Sequence, residues 1–127
     1  MASTTFSGPV TSTNGFIGGI TGNVTGNVTG DVIATNQALS GAGAVNLTDM
    51  LTSLTSTGAA QALTLANGTL GQIKIISHVV DGGSAVLTPT TKIGFTTITF
   101  TGVGESAMLV YTAAGWAIVA LNGAVAA

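Results

Sequence analysis

Catalysis draws on titratable side chains, and this chain offers few: Asp31, Asp49, Asp81, Glu105, His78, Lys74, Lys92 and Tyr111. They are scattered. His78 is the single imidazole, and a nucleophilic relay built on it needs a hydroxyl and a carboxylate delivered by the fold. A lone histidine on a strand reads first as a hydrogen-bonded structural residue. Asp81 and Glu105 stand beside turn residues, where a carboxylate accepts backbone N–H groups. Phosphate-loop, nucleophile-elbow, zinc-protease and EF-hand patterns are absent, and Gly41-Ala42-Gly43 and Gly102-Val103-Gly104 lack the third glycine of a dinucleotide loop. With Cys 0, disulfide scaffolds and thiolate metal sites are excluded. Trp116, Phe95, Phe100 and Tyr111 have the flat faces of a carbohydrate platform, yet a chain this poor in aromatics needs them in its core. The expectation is a non-enzymatic protein with no catalytic residue, no cofactor and no metal. Carboxylates of several copies meeting at a symmetry axis are the one remaining route to a bound cation.

Composition points to an assembly. Of 127 residues, 5% are charged and 46% hydrophobic, whereas soluble domains average about 25% charged. Lys74 and Lys92 cannot neutralise a run of phosphates, so a nucleic-acid partner is not expected. The hydrophobic fraction excludes disorder as the dominant state. A folded monomer of 12.3 kDa exposes on the order of 6,000 Å², and so few ionised groups provide little repulsion between copies. Burial of much of that surface in a homotrimer is expected.

Residues 1–6 lack the basic and apolar regions of a signal peptide, so nothing there is expected to direct secretion. Residues 107–127 are uncharged and would pass a hydropathy window for a membrane span. Thr112, Gly115, Asn122 and the absence of flanking basic residues argue for two strands, 108–112 and 116–121, joined by Ala-Ala-Gly. No membrane partner is expected. Asn-x-Thr matches at Asn23, Asn27, Asn46 and Asn67 are chance in a threonine-rich chain.

The first third is repetitive. Phe16, Ile20, Val24, Val28 and Val32 recur every fourth residue, with Gly18, Gly22, Gly26 and Gly30 midway between them. Four glycines, each costing about 1 kcal/mol relative to alanine, exclude a helix. An extended chain puts these apolar residues and glycines on one face, where another backbone approaches closely at each glycine. A continuous strand over 16–33 would be about 60 Å long and unstable alone. The rival geometry turns at each Gly-Asn or Gly-Asp and winds a narrow triangular fibre. Both need other chains, and the nine residues from Phe16 to Val32 named above are the expected interface. The domain reading is an arm over 1–35, a small polar linker over 36–43 and a β-rich knob over 44–127.

Within the knob, runs rich in Val, Ile, Thr and Leu at 45–47, 52–55, 62–65, 72–80, 85–87, 96–101, 108–112 and 116–121 alternate with turn signals such as Asn67-Gly68, Asp81-Gly82-Gly83 and Asn122-Gly123. The fold class expected is all-β, a small antiparallel sandwich or barrel-like knob. Ile73, Ile75 and Val79 share one strand face, and Lys74, Ile76, His78 and Val80 the other. Both faces are largely apolar, so this strand is expected at the centre of a sheet or at a subunit interface.

Three segments together resemble a β-rich module recurrent in virion structural proteins of tailed bacteriophages: LANGTLGQIK from Leu65 to Lys74, DGGSAVLTPT from Asp81 to Thr90, and TITFTGVGES from Thr97 to Ser106 with Leu109-Val110-Tyr111 and Trp116. The upstream FSGPVTSTNGFIGGITGNVTGNVTGDV is similar to the arms of phage decoration and fibre proteins. The resemblance implies a trimeric virion component. Two functions follow from it: a capsid decoration or cement protein on the surface of the head, with the major capsid protein as partner, or a fibre or tail component that binds a host receptor or glycan. The short chain, with no long shaft or tip domain, favours the first.

Overall fold

Short apolar runs broken by Gly, Asn and Asp become strands because β-branched residues suit a pleated, half-buried surface while the breakers supply the corners. The computed structural model describes residues 25–127, together with Ser7, Gly8, Thr11 and Thr13. The chain divides into two units, Met1–Asp31 and Val32–Ala127. The second unit is all-β, with β1 (Asn36–Ser40), β2 (Gly43–Val45), β3 (Leu51–Thr55), β4 (Gln61–Leu65), β5 (Ile73–Val80), β6 (Ala85–Pro89), β7 (Ile98–Phe100), β8 (Ser106–Thr112), β9 (Gly115–Asn122) and β10 (Val125–Ala126). No helix occurs among the described residues, and 107–127 form β8, β9 and β10.

Two five-stranded sheets result, in the orders β1-β3-β5-β8-β9 (sheet A) and β10-β7-β6-β4-β2 (sheet B). The all-β, sandwich-like expectation holds, while the antiparallel pairing and the barrel-like alternative are corrected, because both sheets are mixed and they do not close into a barrel. β1, β3 and β5 are parallel in sheet A, as are β2, β4 and β6 in sheet B. From β1 to β6 the chain crosses to the opposite sheet at every connection, so each strand lies beside its next-but-one neighbour in sequence. That is a flattened parallel coil of three turns. Antiparallel pairings of β6 with β7, β5 with β8, β8 with β9 and β7 with β10 then close it.

Inward side chains of both sheets form one core. Leu54, Ile76 and Leu109 come from sheet A, Leu63, Leu65, Leu87, Ile98 and Phe100 from sheet B, and Trp116 from β9 fills one end. Each fully buried large apolar side chain contributes about 1.5–3 kcal/mol. Trp116 Nε1 donates to Ala66 O at 2.8 Å, which satisfies its polar atom inside the core.

The corners stack closely where coils meet. Asp81 Oδ1 accepts the Gly83 N–H at 2.8 Å, forming an Asx turn. A Cβ on Gly83, whose φ is +139°, would lie 2.5 Å from the Gly58 carbonyl oxygen of the preceding coil. Ala60 N and Gln61 N donate to Ser84 across the same corner. The glycines of this turn are therefore required by a neighbouring backbone as well as by the turn.

β1 falls in the stretch 36–43 that composition reads as linker. Its inward Gln37 is held by the Asn46 N–H and the Thr52 hydroxyl, at 2.9 and 3.0 Å, and itself donates to Ala44 O at 2.9 Å. A polar residue on the inward face disguises the strand.

Candidate functional site

The outward face of sheet A carries contiguous rows of apolar side chains. Register places Leu51, Ile75 and Met108 side by side across β3, β5 and β8, with Ile73 and Val110 in the next row. Ala117 and Ala120 extend these rows onto β9. Beyond them runs a row of three serines, Ser53, Ser77 and Ser106. All of these side chains are half-buried or exposed, and none is charged. Five strands about 4.8 Å apart and roughly 20 Å long give a planar footprint of about 500 Å². A neighbouring chain seated on this footprint would bring the total area removed from water to about 1,000 Å², the lower bound for a stable interface. Sheet B presents smaller and more polar side chains outward, among them Ala44, Ala62, Thr64, Thr88 and Thr99.

β5 lies at the centre of sheet A, as its two apolar faces imply. The arm residues are only partly covered: Phe16, Gly18, Ile20, Gly22 and Val24 lie outside the described residues. Gly26, Val28, Gly30 and Val32 are exposed, and 25–35 contain no strand. Gly26 and Gly30 both take a φ of +125°. Among the described arm residues the backbone thus takes the same positive φ twice, four residues apart.

The fold also collects polar groups in the core that sequence reasoning leaves apart. His78 is fully buried, and its Nε2 lies 2.9 Å from Ser56 Oγ. Ser56 Oγ in turn accepts the Gly82 N–H at 2.9 Å. His78 Nδ1 is buried without a partner, and the ring packs edge-on to Phe100 at 6.4 Å. Among the described residues no cavity opens onto this pair. Its evident work is to tie the β3–β4 corner to the β5–β6 corner. Lys74 is fully buried as well, and its Nζ donates to Asp49 O at 2.5 Å. Burial pushes the Lys74 amine below its usual range, against an opposing pull from the Asp49 carboxylate.

Glu105 accepts the Thr101 N–H at 2.6 Å and the Thr101 hydroxyl at 2.9 Å. The backbone bond, above all, holds its carboxyl below the usual range. Asp49 is bonded to Asn46, and Lys92 Nζ donates to Pro89 O at 3.0 Å. Among the described residues no three metal-ligating side chains gather. Trp116 and Phe100 are fully buried, while Phe95 and Tyr111 pack against the core. These four aromatics therefore belong to the interior of the fold.

Neither protein-family models nor curated proteins match this chain.

Proposed function

We propose that this chain is a non-enzymatic structural protein of a tailed-bacteriophage virion. In this reading it is a homotrimeric decoration or cement protein that binds the major capsid protein on the assembled head and stabilises it. The observation that carries the reading is the outward face of sheet A, uncharged across five strands and carrying apolar rows on four of them, β3, β5, β8 and β9. A contiguous face of this kind marks a surface that other protein covers. The resemblance to phage virion modules supports the same reading, and its residues, 65–116, run from the end of β4 into β9. The bends at Gly26 and Gly30 suit an arm that wraps around or along neighbouring chains.

A cement protein binds the assembled lattice and not its dissociated subunits. By linkage its occupancy raises the lattice's resistance to heat and internal pressure. Particles lacking the chain are expected to release DNA at a lower temperature while still adsorbing to cells, with resistance restored by added protein. Unchanged heat stability combined with lost adsorption would move the assignment to a fibre or tail component that binds a receptor or glycan.

A further inference from the structure

We propose that Lys74 and Asn46 condense into an intramolecular amide, a covalent cross-link between β5 and the loop leading into β3. Lys74 follows the first residue of β5 and points inward with Ile76 and His78, fully buried. Among the described residues its hydrogen-bond partner is a neutral backbone carbonyl, Asp49 O at 2.5 Å. An ammonium stripped of water against a neutral carbonyl costs several kcal/mol, which the nearby Asp49 carboxylate offsets only in part. The direction of its pKa agrees: burial favours the neutral amine, which is the nucleophilic form.

The electrophile is anchored on the same residue as the amine. Asn46 Oδ1 accepts the Asp49 N–H at 3.0 Å, and Asn46 Nδ2 donates to Asp49 Oδ2 at 2.7 Å. The N–H polarises the amide carbonyl and stands where negative charge develops on its oxygen during attack. The carboxylate rests against the nitrogen that must leave, in the position of a proton relay. Asp49 thus binds the amine through its carbonyl, the amide oxygen through its N–H and the amide nitrogen through its side chain.

In the step itself the Lys74 Nζ lone pair attacks Asn46 Cγ. The Nζ–Cγ bond forms and the Cγ–Nδ2 bond breaks. Asp49 takes a proton from Nζ and delivers one to Nδ2, which departs as ammonia. Amine and primary amide become secondary amide and ammonia, with no change of oxidation state and no co-reactant. The product removes the buried charge and constrains the unfolded chain. It depends on the fold of one chain alone, whatever that chain assembles with.

The test is the intact mass of the folded full-length protein after prolonged incubation at mildly alkaline pH. The expected result is a loss of about 17 Da, one ammonia, with a tandem spectrum joining the peptides that carry Asn46 and Lys74. Lys74→Arg and Asn46→Ala are expected to keep the full sequence mass, and wild-type chain held in urea to keep it too. The unaltered mass in folded wild-type protein overturns the proposal, and because that measurement needs no variant, a substitution that fails to fold does not blunt it. A loss of about 18 Da, one water, that persists in Asn46→Ala also overturns it, by placing the bond on the Asp49 carboxyl.

Discussion

Ser77→Asp is expected to convert the assembled protein into folded monomers. Ser77 lies mid-row between Ser53 and Ser106 on the central strand of sheet A, directly beside the row of Leu51, Ile75 and Met108. Its side chain points outward, so the substitution disturbs no core contact and the domain should melt close to wild type. In an interface the new carboxylate is stripped of water with no cation facing it, because the face carries none. Truncated or unpaired charges in such positions cost about 2–5 kcal/mol, and symmetry repeats that cost in every copy. Dissociation by more than tenfold in concentration follows at the low end of that range. Thr88→Asp, exposed on the outward face of sheet B, is the matched control and should sediment as wild type. Equal behaviour of the two variants would remove sheet A from the interface.

Gly83→Ala is expected to cost upward of about 3 kcal/mol, a large share of a small domain's usual 5–15 kcal/mol. Two causes combine at this position. A φ of +139° is a region that side chains rarely adopt, worth about 1–3 kcal/mol. The added Cβ would also lie 2.5 Å from both the carbonyl carbon and the oxygen of Gly58, backbone atoms fixed by the neighbouring coil. Gly71→Ala separates the two causes. Its φ is +84°, and nothing lies within 4 Å of the added carbon, so it carries the conformational penalty alone and is expected to cost about 1 kcal/mol. Urea denaturation of both variants reads the difference. Equal costs would mean that the corner is not packed against its neighbour.

Residue pattern made the strands legible and left their pairing hidden. The eight apolar runs anticipated in the sequence all fall on β2 to β9, because Val, Ile and Thr between Gly and Asn punctuation mark a strand wherever it lies. Which strands pair depends on where the corners lead. Asp81-Gly82-Gly83 reads as a turn, but the sequence does not show that this turn carries the chain to the opposite sheet and stacks on the preceding corner. The parallel coil leaves no sequence period either, because its turns differ in length: Asn36, Leu51 and Ile75 stand side by side at unequal spacings. β1 escaped because Gln37 faces inward and β10 because it is a two-residue strand. For the buried polar groups, the alternation of β5 places Lys74, Ile76 and His78 on one face. Their partners Asp49 and Ser56 follow only from the register between coils, which no local pattern encodes. The four-residue period of the arm was visible, but period alone does not separate a strand from a repeated bend.

Self-association through an uncharged sheet face is the centre of this account, and sedimentation velocity of the purified full-length chain at micromolar concentration tests it most directly. The account predicts one species of about three times 12.3 kDa, unchanged by several hundred millimolar salt because the face has no charge to screen. A stable, soluble monomer under those conditions would contradict it.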